Sequence, residues 1–462
     1  MKKKRSSFTG SIGFVLAAAG SAVGLGNIWR FPYLAARDGG GLFLVIYIIL
    51  ALTFGFTLLT TEITIGRKTK QSPLTAYGTL RKKWKWVGVI ASIVPFIILP
   101  YYCVIGGWVL KYFLVFLTGH GKDATQDSFF TSFITSQYEP VVLMFVFLLA
   151  CSLIIYMGVT SGIEKSSKIL MPILLTLILG ISIFSLTIRN TAPDGTVTTG
   201  LDGIKTYLIP SLDGVGIRQF FFVVMDAVGQ LFFSLSIAMG IMIAYGSYVP
   251  DDANLVRSIN QIEIFDTVVA FLAGVMIIPS VVVFMGKDAM SSGPSLMFVS
   301  LPKVFISMGS VGNVIGTLFF AMVLFAAVTS GMSILEAVVS SLIDRFKMDR
   351  KKATIFESLF ALILGIFVCL GYNVFYFEAL LPNGTKAHIL DIMDYISNNL
   401  LMPIVAIATC ILVGWILKPE FVFSEAEKNG EKMGRKRLFR VMIRYIAPVL
   451  LIILFILSVG FF

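Results

Sequence analysis

Charge is scarce in this chain. Only 14% of its 462 residues are Asp, Glu, Lys or Arg, where a water-soluble domain averages about 25%. Too few polar side chains are present to coat a surface that faces water on every side, so a soluble globular fold is excluded. Histidine is nearly absent, with His120 and His388 alone, which sets aside a histidine-based metal centre. The four cysteines, Cys103, Cys151, Cys369 and Cys410, all fall inside apolar blocks and form no C-x-x-C pair. They read as small core residues rather than disulfides or metal ligands. Neither H-E-x-x-H nor G-x-S-x-G occurs, which leaves an intramembrane enzyme without its usual signatures.

What the chain has instead is apolar length. Hydrophobic residues make up 57% of it, with a mean hydropathy of +0.89. They come in blocks long enough to cross about 30 Å of hydrocarbon, which takes roughly 20 residues. Eleven spans are predicted, over 11–36, 40–66, 87–118, 139–157, 165–188, 217–248, 258–285, 308–343, 352–372, 388–417 and 438–460. Only helices satisfy every backbone group of an open chain in lipid, so the expected fold class is an all-α polytopic membrane protein. Lys2, Lys3, Lys4 and Arg5 precede an apolar run as in a signal peptide, but no small-residue cleavage site follows.

The net charge of +11 does not point to nucleic acid. The basic residues sit in short loops between apolar blocks: at the N-terminus, in 67–85, in 345–352 and in 418–440. The alternate loops 119–138, 189–216 and 286–307 carry Asp123, Asp127, Asp194, Asp202 and Asp213 instead. Positive loops mark the cytoplasm. The expected location is the bacterial inner membrane, with the N-terminus cytoplasmic and, after eleven spans, the C-terminus extracytoplasmic.

Two spans are interrupted. The first breaks at Gly20-Ser21-Ala22-Val23-Gly24-Leu25-Gly26-Asn27, and the sixth at Ser234-Leu235-Ser236-Ile237-Ala238-Met239-Gly240. Each opens a block of five spans, about 11–188 and about 217–417, within one transporter domain over 1–462, with one extra span at about 438–460. Five is odd, so the second block enters the membrane from the opposite side. Broken helices at corresponding places in two inverted halves point to a midplane binding site. Close helix packing through small residues accounts for Gly20 and Gly24, but not for Asn27, Ser234 and Ser236 in mid-membrane.

At these residues the chain resembles the neurotransmitter:sodium symporters, in their bacterial amino-acid-transporting branch. The resemblance is carried by Gly24 through Pro32 (GLGNIWRFP), Gly39-Gly40-Gly41, Glu62 with Gly66-Arg67, Tyr101-Tyr102, Gln230 to Gly240 and Thr329-Ser330. It implies a LeuT-type fold of two inverted five-helix repeats and two sodium ions. One ion would sit among Ala22, Asn27, Ser234 and Asp266, the other among Gly20, Val23, Ala326, Thr329 and Ser330. The chemistry agrees: a dehydrated hard cation wants about six oxygens, which unwound backbone, hydroxyls and amides supply. The resemblance also implies a substrate pocket of Ser21, Ala22, Gly24, Gly26, Ile98, Tyr102, Phe233, Ser234, Ser236, Met239, Ser330 and Ile334. Taken singly, Tyr102 and Phe233 read better as core aromatics, and only the constellation around them raises them to pocket residues.

Amine-transporting relatives carry aspartate at the position of Gly24. Glycine implies a substrate that brings its own carboxylate. Chloride-dependent relatives carry Asn at Asp266 and Ser at Ala270, so the Asp266 carboxylate implies transport without chloride. Gates are expected from charge placement: Arg30 with Asp394 outside, Asp391 being a rival partner, and Phe233 as a lid. Inside, Arg5 is expected to meet Asp344 near Tyr248, although Arg5 also serves the basic belt. The expected function is sodium-coupled import of a zwitterionic, hydrophobic or aromatic L-amino acid by alternating access, with the lipid bilayer as partner and no nucleic acid. The alternative is a sodium-dependent amino-acid sensor or a channel on the same scaffold.

Overall fold

A computed structural model describes residues 6–191, 195–211, 216–286, 289–290, 293–382 and 384–460. Among them, ten helices are long and apolar enough to cross a membrane. Ser11–Ala22 and Gly26–Arg37, bent by 53° across their break, supply an eleventh span as a pair. After this first span come Gly41–Thr69, Lys82–Leu117, Glu139–Tyr156, Val159–Thr187, Ile217–Ser234, Leu255–Met285, Gly309–Phe346, Arg350–Leu370, Ile389–Ile416 and Lys436–Ser458, numbered here spans 2 to 11. Their order matches the expected one. Span 6 resumes after its break as the short helix Ile241–Gly246.

Unanticipated from hydropathy are the short helices that lie between spans, such as Pro73–Leu80, Gly200–Leu208 and Glu420–Ala426. Two small antiparallel hairpins also appear among the described residues, Arg189–Thr191 with Val197–Thr199 and Ala379–Leu380 with Lys386–Ala387. None of these is long or apolar enough to register against a membrane-length window.

The two breaks are built differently. In span 1, Val23 keeps its N–H on the Ala19 carbonyl at 2.7 Å but turns to ψ 85°, which takes its own carbonyl off the helix axis. In span 6, Ser236, Ala238 and Gly240 adopt φ of 52°, 63° and 72°. A left-handed conformation costs an L-residue roughly 1–2 kcal/mol, so two non-glycine residues there must be held by something. The Ala238 N–H is taken by the Glu62 carboxylate at 2.7 Å, and the Ser236 hydroxyl donates to the Ser21 carbonyl at 3.0 Å. Span 2 thus supplies an acceptor that a continuous helix would have supplied itself.

Spans 2 and 6 meet backbone to backbone. A Cβ on Gly66 would run into the Ile243 carbonyl and approach the Ser247 nitrogen to 2.8 Å, and one on Gly246 would reach the Ile63 carbonyl at 2.5 Å. Close approach of this kind is what small residues permit between helices in lipid, where burial of apolar surface drives nothing. The atoms in the way are main chain and cannot rotate aside. Gly66→Ala is therefore expected to destabilise the protein by about 1–3 kcal/mol, read as a lowered midpoint in thermal unfolding of the purified protein. A midpoint equal to wild type would mean that the two helices separate freely.

The end of the bundle bearing Arg67 is strapped by the segment between spans 10 and 11. Arg67, 1% exposed, faces Glu425 at 3.4 Å and donates to the Asp251 carbonyl at 2.7 Å. Arg435 lies 3.5 Å over the Phe56 ring and pairs with Glu263 at 3.0 Å. Removing one partner of such a buried pair strands the other charge, so these contacts fix where the strap sits.

Candidate functional site

Between the two breaks lies a cavity of about 70 Å³, several times the roughly 10–15 Å³ that a single water requires. The structure brings together on its walls all twelve residues expected to bind substrate. Ser21, Ala22, Gly24 and Gly26 come from span 1, and Ile98 and Tyr102 from span 3. Phe233, Ser234, Ser236 and Met239 come from span 6, and Ser330 and Ile334 from span 8. Leu25, Asn27, Trp29, Tyr101, Ile105, Ile241 and Asp394 complete the lining. Of these additions, Tyr101 and Ile105 were legible: with Ile98 and Tyr102 they fall on one helix face at spacings of three and four.

Polar groups of the lining are linked to one another. The Ser21 hydroxyl donates to that of Ser236 at 3.2 Å, and Ser330 donates to the Ser21 carbonyl at 3.2 Å. Among the described residues the Tyr102 hydroxyl is buried without a hydrogen bond of ordinary geometry, the Ser330 side chain being the polar group that faces it. Buried polar groups normally have such a bond, and an exception asks for an explanation. Gly24 faces this hydroxyl, since a Cβ there would lie 4.0 Å from it and 3.1 Å from the Ser330 oxygen. Gly26 gives Phe233 room, because a Cβ would stand 2.9 Å from its ring. The second half of span 1 begins here and opens the positive end of its helix toward the cavity. Ile98, Ile105, Met239 and Ile334 add apolar surface to the same lining.

Two clusters of oxygen atoms adjoin the cavity. In the first, Asp266 is fully buried and accepts from Asn27 Nδ2 at 2.8 Å, from the Ser234 hydroxyl at 3.2 Å and from the Tyr47 hydroxyl at 3.2 Å. Ala22 lies beside Ser21 on the same break. Sequence reasoning missed Tyr47. A phenol in mid-span wants a partner when buried, and that was the signal available. In the second cluster, Thr329 donates to the Ala326 carbonyl at 3.0 Å, and Ser330 approaches the Gly20 carbonyl at 3.4 Å. Gly20 packs on Thr329, where a Cβ would come within 3.2 Å, and the turned carbonyl of Val23 belongs to the same break. Carbonyls, hydroxyls, an amide and one carboxylate form a donor set suited to a hard monovalent cation and unsuited to a soft metal.

The expected outer gate is not paired in this structure. Asp394 accepts from Tyr101 at 3.0 Å and from Asn398 at 2.6 Å, and no ion pair joins it to Arg30 among the described residues. Arg30 rests against Gly229, whose Cβ would lie 3.3 Å from its guanidinium, with Asp226 and Asp394 as the acids facing it. Asp226, which the sequence reading did not single out, also pairs with Arg37. Asp391 is no rival, since it accepts from the His388 N–H at 3.0 Å and caps its own helix.

At the basic end aromatic and charged side chains pack together. Arg5 lies outside the described residues, so the Arg5–Asp344 pairing is not seen. Asp344 accepts from the Ser72 N–H at 2.6 Å. Tyr248 donates to Glu336 at 2.6 Å, and Glu336 pairs with Arg350 at 2.6 Å. The Tyr248 carbonyl takes the Phe8 N–H at 3.0 Å, and the Phe8 ring is 1% exposed against Phe14, Tyr245 and Tyr248. Thr9 donates to Glu164 through its backbone at 2.9 Å and through its hydroxyl, which ties the chain before span 1 to span 5.

A cavity between two broken helices, flanked by clusters of oxygen atoms, is the arrangement of a secondary transporter's binding site. The profile described as the Sodium:neurotransmitter symporter family matches residues 5–126 and 130–462, and the chain belongs to that family. It is 32% identical to the uncharacterized sodium-dependent transporter YhdH of Bacillus subtilis (strain 168), across 99% of each chain. It is 32% identical to the uncharacterized sodium-dependent transporter MJ1319 of Methanocaldococcus jannaschii, over 93% of this chain and 86% of that one. Its fold matches the crystal structure of MhsT in complex with L-phenylalanine with a TM-score of 0.84, at 32% identity, over 98% of this chain and 100% of that chain. The expected fold class holds, and the protein is a multi-span, sodium-dependent membrane transporter rather than an enzyme.

Proposed function

We propose that this protein imports a zwitterionic L-amino acid with a hydrophobic or aromatic side chain, together with two sodium ions and without chloride, across a bacterial inner membrane. The observation that carries the reading is the cavity's lining: the Tyr102 and Ser330 hydroxyls stand beside an uncharged Gly24, and Ile98, Ile105, Met239 and Ile334 supply apolar surface around them. The substrate carboxylate meets the helix end at Gly26 and the Tyr102 hydroxyl, and its ammonium meets carbonyls of the span 6 break. One sodium binds at Ala22, Asn27, Ser234 and Asp266, where the substrate carboxylate completes its shell. The other binds at Gly20, Val23, Ala326, Thr329 and Ser330. An ion liganded by the substrate makes each bind better in the presence of the other, which is coupling in the thermodynamic sense.

Alternating access follows if the repeats 11–188 and 217–417 move about this fixed site. Pairing of Arg30 with Asp394 over Phe233 then closes the outside, and release of Phe8, Arg5 and Asp344 from around Tyr248 opens the inside. The N-terminus is cytoplasmic and the C-terminus extracytoplasmic, in keeping with the basic loops. That a relative at 32% identity is crystallised with L-phenylalanine supports the side-chain class.

The test is uptake of a panel of radiolabelled amino acids into proteoliposomes, with sodium or potassium outside. Concentrative, sodium-dependent uptake is expected. Sodium-dependent binding without accumulation would instead indicate a sensor. Tyr102→Phe gives a sharper check. It removes a hydrogen bond to a charged group, worth about 1.5–3 kcal/mol, so amino-acid affinity is expected to fall roughly tenfold to a hundredfold. The substrate-free protein should unfold at the wild-type temperature or slightly above, because a buried hydroxyl without a hydrogen bond of ordinary geometry is gone. Unchanged affinity would remove the hydroxyl from the site.

A further inference from the structure

A second cavity lies away from the midplane, on the outer surface of the bundle between spans 4 and 9. It measures about 310 Å³, at the lower end of the range for ligand pockets. Phe145, Leu149 and Leu153 form one wall and Ile355 and Leu359 the other, each between 43% and 55% exposed. At its floor the hydroxyls of Ser152 and Ser358 are bonded to each other at 2.7 Å, and Ser152 also donates to the Leu148 carbonyl. These two small residues draw the helices together and use up their own polarity, so the floor is dry and the larger neighbours stand up on either side.

The groove has one charged end. Its residues on span 9 continue at helical spacing to Lys351, whose ammonium lies 5.1 Å over the ring of Tyr156, the last groove residue of span 4. Lys351 is exposed and makes no ion pair among the described residues, whereas the adjacent Arg350 is occupied by Glu336. From Lys351 to Leu362 is eleven residues, or about 16 Å of helix at 1.5 Å each. Half of a hydrocarbon core of about 30 Å is about 15 Å. The groove therefore spans one leaflet, with a free cation at headgroup depth, on the side of the bundle where the basic loops gather.

We infer that this groove is a binding site for an anionic phospholipid, one acyl chain lying between spans 4 and 9 and the phosphate on Lys351. An acyl chain matches the groove in polarity and length. The unpaired ammonium selects an anionic headgroup, as juxtamembrane lysines do in acidic leaflets. The site is independent of the midplane cavity, and it stands or falls separately from the transport reading.

The experiment is native mass spectrometry of the purified full chain, titrated with dioleoyl phosphatidylglycerol or dioleoyl phosphatidylcholine. One phosphatidylglycerol per chain is expected to be retained in preference to phosphatidylcholine. Lys351→Gln, an exposed change, should weaken that retention about fivefold, the usual effect of one lysine near an anionic surface. Ser358→Phe, which fills the floor, should displace both lipids. Equal retention of the two lipids, unmoved by Lys351→Gln, would overturn the proposal. So would retention unmoved by Ser358→Phe, which would place the lipid on the basic belt alone. A dimer that dissociates on Ser358→Phe would assign the groove to a second copy of the chain.

Discussion

Gly24→Asp is expected to abolish amino-acid uptake while leaving the protein folded. A Cβ on Gly24 would lie 3.1 Å from the Ser330 hydroxyl and 4.0 Å from that of Tyr102. Neither contact prevents folding, because a hydroxyl can turn aside. The carboxylate that follows the Cβ enters the cavity beside the Ser330 and Tyr102 hydroxyls, where the substrate's own carboxylate is proposed to bind. Two unit charges 4 Å apart repel by about 4 kcal/mol at an effective dielectric constant near 20, or roughly a thousandfold in affinity. Uptake of the best substrate should thus fall to background. An amine lacking the carboxylate should compete for the site better than its parent amino acid does. Gly24→Ala separates charge from bulk, since it adds the Cβ alone and should retain most uptake. Normal uptake by Gly24→Asp would remove the substrate carboxylate from this position and with it the zwitterion assignment.

The parts of this molecule that were legible in its sequence are those written into local pattern. Span positions follow from apolar run length, which lipid enforces on each helix separately. The breaks follow from Gly, Ser and Asn in mid-membrane, where a lipid-facing helix has no use for them. All twelve expected pocket residues line one cavity because the motifs that carry the family resemblance lie at those breaks. Partnerships between distant polar groups were not legible. Arg30 was expected on Asp394, yet one oxygen of that carboxylate accepts from both Tyr101 and Asn398, and a hydroxyl or amide donor leaves no charge to count. Arg435 and Glu263 are 172 residues apart, and nothing in the sequence couples them. Asp226 and Tyr47 were passed over for a related reason: one acid or phenol in an apolar run looks alike whether it pairs with a neighbour or faces a cavity. The lipid-facing groove between spans 4 and 9 depends on two serines meeting across helices, and no single-helix pattern announces that.

Asp266→Asn is the change expected to alter the ion requirement most. The wild-type carboxylate is fully buried in span 7 and accepts from Asn27, Ser234 and Tyr47. An isolated charge at the bilayer centre is expensive, and three neutral donors stabilise it without cancelling it. A sodium ion among Asn27, Ser234 and Asp266 would cancel it, so ion and carboxylate each offset the other's cost of burial. Asparagine preserves the shape but removes the charge, and its amide presents donors toward groups that now donate. Sodium dependence of uptake should shift to higher concentration by at least tenfold, a conservative share of the roughly 4 kcal/mol that two charges at 4 Å exchange at this effective dielectric. Wild-type uptake should not change when gluconate replaces chloride, because the fixed carboxylate already balances the ion. Chloride-dependent uptake by the wild type would contradict that balance directly. If Asp266→Asn kept the wild-type sodium dependence, the carboxylate would be only a structural acceptor for Asn27, Ser234 and Tyr47. The counter-charge would then have to come from the medium, and the gluconate exchange would expose it.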